Sequence, residues 1–320
     1  MRPLRVHLLI LVLGALLPGT LLTAGLVWRA FANNRDAAER RLLDSARVDA
    51  AALDREFAGA ISLLEGLATS PALDRDDLAA FHAEGRRIQN TQPGWYNVLL
   101  LSLDGQQLVS TRLPWGAPLL RATEPDSVRR LVESRQPVVG VVRSPPQGGT
   151  EHLFPIRVPV LRNGALKYVL TAVVDVTSLE RVVPRASATS EEWTRSIIDS
   201  EGTIAVRTRG GENYVGTSAT DAFLERLRRS PETVTQETTR EGGVQVYAAT
   251  SRSAHGWTTV VVVPRAVLDA PLTASMAGLL GGGVLLIGVG VVLVITLIGV
   301  GWAYLEWQRR WFWFDADGDL

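Results

Sequence analysis

The sequence contains no cysteine, a single lysine (Lys167) and four scattered histidines. Without thiols there is no disulfide, no thiolate metal site and no cysteine nucleophile, and the chain suits an oxidising compartment. His7, His82, His152 and His255 form no HExxH or paired-ligand spacing and no Ser/His/Asp ordering. No GxxxxGK[ST] phosphate loop is present, and Asp315-Ala316-Asp317-Gly318-Asp319 lacks the later ligands of a calcium loop. No cofactor, metal or catalytic constellation is expected. A formal net charge of zero, with no Lys/Arg cluster, removes nucleic acid as a partner.

Charge is also absent from two long stretches, Leu8 to Trp28 and Ala270 to Leu305. Each exceeds the roughly 20 apolar residues that carry a helix across a bilayer. They read as transmembrane helices at residues 1–29 and 269–305, with a short cytoplasmic tail at 306–320. Ala30-Phe31-Ala32 has the form of a signal cleavage site, but the apolar run is too long for a signal h-region, so an uncleaved anchor is expected. Arg2, Arg5, Arg309 and Arg310 place both termini in the cytoplasm. Residues from about 30 to 270 are then periplasmic and the address is a bacterial inner membrane. Trp302, Tyr304, Trp307 and the aromatic run 311–314 form an interfacial belt, and Ala274, Gly278 and Gly282 a small-residue helix face.

Between the spans the chain is polar and foldable. Residues 30–70 read as a stalk helix: no proline occurs from Asn34 to Ala68, and Ala46, Ala50, Leu53, Phe57, Ala60, Leu64 and Leu67 recur at steps of four and three. A long stalk has two faces, and a homodimer through one of them is expected. After Ser70-Pro71 and a helix at Asp76–Gln89, a hairpin forms around Asp104-Gly105, and the figure returns around Glu201-Gly202. Setting Gly105 on Gly202 aligns the rest: helix Ser127–Ser134 on Asp221–Ser230, strand Val138–Arg143 on Thr233–Thr238, Leu153–Leu161 on Val244–Ser251, and Leu166–Val176 on Trp257–Val263. The fold class is α+β: a long N-terminal helix and two tandem antiparallel sheet units, 71–183 and 184–268, joined around Val183–Glu192. The last strand, ending Val263-Pro264, feeds the second span almost directly.

This order of elements, with hairpins such as Leu103-Asp104-Gly105, resembles the double Cache (PAS-like) extracytoplasmic sensor modules of bacterial histidine kinases, diguanylate cyclases and chemoreceptors. The resemblance covers about residues 30–270 and implies a ligand-sensing input module without enzymatic activity of its own. In that family the membrane-distal unit binds a small molecule, often an amino acid or carboxylate, held by an aromatic pair near the first strand and an Asp closing the last. The matching positions here are Trp95-Tyr96 and Asp175. An arginine that precedes the aromatic pair in the amino-acid-binding subset is Pro93 here, leaving Arg112, Arg157, Arg86 or Arg87 as substitutes. The second copy has Pro264 where the first has Asp175, which favours the first unit for binding.

The candidate ligand-binding residues are therefore Trp95, Tyr96, Arg112, Trp115, Arg157 and Asp175, and all but Tyr96 have a structural alternative. Asp175 also suits the N-cap of a helix starting at Thr177-Ser178-Leu179. Trp95 and Trp115 also suit core or loop packing, and Arg112 a solvated strand end. Arg157, flanked by apolar residues, requires either an internal partner or an anionic ligand if it points inward. Output chemistry falls to a kinase or cyclase domain absent from this chain, or to a separate partner protein. The rival readings are a membrane-anchored assembly protein with no ligand, and an anchored hydrolase, for which no base–nucleophile set is visible.

Overall fold

The computed structural model describes residues 2–144, 151–183, 193–239, 243–268, 281, 288–292, 295–296 and 298–309. Glu39–Arg265 form one compact unit, and Met1–Ala38 with Ala266–Leu320 a second. Among the described residues no helix is long and apolar enough to cross a membrane. Most side chains of Leu8–Trp28, most of Ala270–Leu305, the joint 184–192 and the tail from 310 onward lie outside the described residues.

Helix α1 runs from Arg2 to Ala68. Its part within the larger unit, from Glu39, spans about 45 Å at 1.5 Å per residue. Leu42, Ala46, Ala50, Leu53, Phe57, Ile61, Leu64 and Leu67 are buried along one face. The expected seam slips at one point: two steps of four in succession, Leu53 to Phe57 to Ile61, bury Ile61 and leave Ala60 half-buried. The Ser70 side chain caps the next short helix, α2 (Pro71–Asp74), and Asp77 caps α3 (Leu78–Asn90).

The first sheet contains β1 (Trp95–Leu101), β2 (Gln107–Ser110), β3 (Val138–Val139), β4 (Leu153–Arg162) and β5 (Ala165–Asp175) in the order β2-β1-β5-β4-β3. Helix α4 (Pro125–Ser134) precedes β3, and a 3₁₀ helix, Val176–Arg181, follows β5. The second sheet contains β6 (Thr194–Ile198), β7 (Ile204–Arg207), β8 (Thr233–Thr238), β9 (Gln245–Arg252) and β10 (Thr258–Pro264) in the matching order β7-β6-β10-β9-β8. Helices α5 (Gly211–Tyr214) and α6 (Asp221–Arg229) fill its connection.

The repeat extends to irregularities. A bulge interrupts the hairpin at Leu100/Leu101 in one copy and at Ile197/Ile198 in the other. The isolated bridges Gln106–Arg121 and Thr203–Ser218 also correspond under the same alignment. Gly105 and Gly202 take φ of 83° and 100°, a conformation that costs glycine little and other residues much. Both sheets are two-faced. In the first, Val98, Leu100, Ile156, Val158, Leu170 and Ala172 pack toward α1, and Leu99, Leu101 and Val169 pack toward Val128 and Leu131 of α4.

One strand is shorter than its sequence implied. The segment expected as Val138–Arg143 pairs regularly only at Val138–Val139. Beyond it Gly140 and Arg143 still bond to Pro155 and Leu153 of β4, while between them the Val142 amide donates to Asp199 Oδ2 at 2.8 Å. Trp257, expected as the first residue of its strand, sits just before β10, fully buried. After Pro264 the chain turns helical at 265–268 with no intervening loop.

Phe57 is wholly buried between the two sheets' contributions to the core. Phe57→Ala is expected to lower stability in urea denaturation by about 3–5 kcal/mol. Val48→Ala, on the exposed side of the same helix at 63 % exposure, should change it by less than about 0.5 kcal/mol.

Candidate functional site

On the α4-facing side of the first sheet, burial changes along the strands. Ser110, Thr171 and Arg157 are buried near α4, in the row that contains Leu99. Toward the opposite end Asn97 and Val173, which face each other across β1 and β5, and Asp175 beyond them are half-exposed. β1 and β5 are interior strands with neighbours on both sides. Partial exposure on interior strands leaves an accessible floor at this end of the sheet.

Tyr96 sits at the irregularity between Trp95 and Asn97. The Arg112 guanidinium lies 3.9 Å from the centroid of its ring, a cation–π contact. The Arg112 amide donates to Asn97 Oδ1 at 3.2 Å, and Asn97 Nδ2 donates to Ser110 Oγ at 3.0 Å. Asp175 Oδ1 accepts from the Thr177 amide and hydroxyl, both at 2.8 Å, so it does cap the 3₁₀ helix. Only Oδ1 is engaged by those two bonds, and the residue remains half-exposed at the floor's edge.

Arg157 points inward, 2 % exposed, and its donors have internal partners. Nε donates to Ser127 Oγ at 2.6 Å, Nη1 to Thr171 Oγ1 at 2.9 Å and Nη2 to the Glu124 carbonyl at 3.1 Å. The buried Glu124 carboxylate lies 3.6 Å from Nη2 and also accepts from the Ser127 hydroxyl. Burial pulls the Arg157 guanidinium down to about 10, with Glu124 opposing the shift, so it stays a cation at neutral pH. Its charge is thus neutralised within the protein.

The six sequence-predicted residues do not form one cluster. Tyr96 and Arg112 contact each other beside Asn97, Asp175 is half-buried at the end of β5, and Arg157 lies deeper, under α4. Trp95 pairs with Val174 and packs into the core on the α1 side. Trp115 is 53 % exposed and tilts against His82, with ring centroids 5.8 Å apart. Asn97 and Val173 belong to the floor and were not anticipated; the buried Ser110 hydroxyl supports Asn97 from the side. Asn97 had a readable signal: it is polar on a strand face that continues with Leu99 and Leu101.

Polar contacts join the floor's sheet to the second sheet, among them an ion pair between Arg143 and Glu201. The Trp257 indole donates to the Gly140 carbonyl at 3.1 Å. Asp199 accepts from Val142 with one oxygen and from the Glu201 and Thr203 amides, at 2.9 and 2.8 Å, with the other. Burial pushes the Asp199 carboxyl up, while these amides hold it down. Among the described residues no group of three or more His, Cys, Asp or Glu side chains is placed to hold a metal.

No family model and no curated protein matches this sequence. Solved structures do. The extracellular domain assigned to histidine kinase rpHK1S-Z16 superposes with a TM-score of 0.53 at 17 % identity, covering 74 % of this chain and 98 % of that one. The ligand-binding domain of the Campylobacter jejuni chemoreceptor Tlp3, in complex with L-norvaline, gives 0.56 at 11 % identity over 74 % and 94 %. The ligand-binding domain of the Pseudomonas aeruginosa PAO1 amino acid chemoreceptor PctB, in complex with L-Arg, gives 0.51 at 15 % over 72 % and 96 %. The structures this chain resembles are extracellular sensory domains of histidine kinases and chemoreceptors, of the Cache type, and it shares their fold.

Glu124→Ala leaves Arg157 buried without its counter-charge and is expected to cost about 3–5 kcal/mol in chemical denaturation. The double variant Glu124→Leu with Arg157→Met should recover most of that loss. A double variant no more stable than Glu124→Ala would show that the pair is not the source of the loss.

Proposed function

We propose that this chain is the ligand-sensing input module of a bacterial inner-membrane receptor of the sensor histidine kinase type. Its first sheet, the membrane-distal unit, binds a small polar metabolite on the half-exposed floor. The observation that supports this reading is the floor itself, polar at Asn97 and Asp175 and apolar at Val173, on strands that are otherwise interior. The likeness to sensory domains solved with L-norvaline and L-Arg makes an amino acid the leading ligand class.

The chemistry fits that class. The Asp175 carboxylate would receive an ammonium group, the Tyr96 ring would offer its face, and Arg112 would fork onto a carboxylate. Arg157 then serves beneath the floor as part of its support rather than as a direct contact. Trp95 and Trp115, on the α1 side and at the surface, contribute packing.

A route from the floor to the stalk is short. Asp175 caps the 3₁₀ helix, and Arg181 at the end of that helix forms an ion pair with Glu56 of α1. A ligand that draws on Asp175 would reset the 3₁₀ helix and shift the population of α1 arrangements. In this reading both uncharged stretches cross the inner membrane, the sheet units lie in the periplasm, and two copies pair along the exposed side of α1. The chemistry of output belongs to a kinase-type domain or to a partner protein.

Thermal denaturation of the full chain against panels of amino acids and short carboxylates tests the reading. A ligand present at about 100 times its dissociation constant should add about 2.7 kcal/mol. Asp175→Asn is the decisive variant, because Asn caps helices about as well as Asp but lacks the charge. It should keep the ligand-free melting temperature and lose the shift produced by an amine ligand. An undiminished shift would remove Asp175 from the site, and silence across both panels would favour the assembly reading.

A further inference from the structure

On the face of the first sheet opposite the floor, α1 does not close fully against the strands. A cavity of about 340 Å³ remains, walled by Phe57, Ala60 and Leu63 of α1 and by Trp95, Phe154 and Leu179. Its origin is the slip in the helix seam. Ile61 takes the core position, so the helix presents Gly59 and Ala60, with almost no side chain, where a larger residue would fill the space. On the other side Gly94 is obligatory, because a Cβ there would lie 2.6 Å from Ser178 Cβ and push the 3₁₀ helix outward.

The mouth is charged. Arg181 is tied to Glu56, whereas Arg55 has no ion-pair partner among the described residues, and all three line the cavity. Two guanidinium groups against one carboxylate leave a net positive rim over an aromatic and aliphatic wall. A volume of this size accepts a small molecule buried on most sides. Arginine forks match carboxylates in particular.

We infer that this cavity is a second ligand site, for a small carboxylate with a compact aromatic or branched apolar body. The carboxylate competes with Glu56 for Arg181 and draws Arg55 over the mouth, while the body rests on Trp95 and Leu179. Because α1 forms one wall, the occupant acts on the stalk helix itself. The site is separate from the floor: the bulge after Trp95 sends that side chain to the α1 face, away from Asn97.

Isothermal titration of the full chain in detergent with benzoate, phenylacetate and 3-methylbutanoate is the test. At least one of them should bind with one site per chain, and benzyl alcohol, which lacks the charge, should bind at least about tenfold more weakly than the best of them. Ala60→Phe fills the void and should weaken binding by about tenfold or more. Gly59→Leu should do the same without burdening the core, since a Cβ at Gly59 meets nothing within 4 Å. Asp175→Asn should leave this binding unchanged. The inference is overturned if none of the three carboxylates binds, if benzyl alcohol binds as well as they do, if both filled variants bind like the parent chain, or if Asp175→Asn abolishes binding.

Discussion

Three aromatic rings from three different elements meet at the centre of the larger unit. Phe57 of α1, Phe154 of β4 and Trp257 before β10 pack edge to face, with centroids 5.9 Å, 5.3 Å and 4.9 Å apart. All three are fully buried. Such pairs are worth about 0.5–1.5 kcal/mol each beyond the area they bury. Their larger role is connective: the helix, the first sheet and the second sheet touch at one place, so none can move there without disturbing the other two.

Polar contacts make that junction directional. The Trp257 indole reaches the Gly140 carbonyl, and Asp199 takes the Val142 amide, so the edge segment after β3 bonds to both sheets at once. Arg195 of β6 pairs with the buried Asp49 of α1, and the Thr259 hydroxyl donates to the Ala46 carbonyl at 2.7 Å. Burial pushes the Asp49 carboxyl up even though Arg195 pulls it down, a mark of how dry that contact is. Apolar packing here supplies stability, and the buried polar bonds fix which neighbour each segment meets.

Much of the architecture was legible because it rests on local rules repeated twice. An Asp-Gly or Glu-Gly turn needs a positive φ, strands alternate, and a copy of the same figure offset along the chain confirms both. The site was only partly legible. Asp175 was correctly placed at the end of β5, and its capping role could be read from the Thr two residues on. The face taken by Trp95 could not, because a bulge reverses the alternation between it and Asn97, and a bulge carries no signature in that stretch. Nor could the partner of Arg157 be found: Glu124 lies far away in sequence and meets it only through the packing of α4 on the sheet. The seam of α1 failed at one residue, Ala60 for Ile61, and that small error conceals the cavity.

One helix serving two sheets also sets a phase. Ala46 and Asp49 belong to the second sheet's contacts, and Phe57 and Leu64 to the first sheet's core. Adding one residue to α1 between these groups would turn one set by about 100° relative to the other, and no side-chain adjustment absorbs such a rotation. Adding seven would restore the facing but slide the sheets apart by about 10 Å. Length along this helix is therefore countable, like the teeth of a gear. A residue inserted between Ala46 and Phe57 breaks the fit to one sheet or the other, whereas a residue inserted in a surface loop breaks neither.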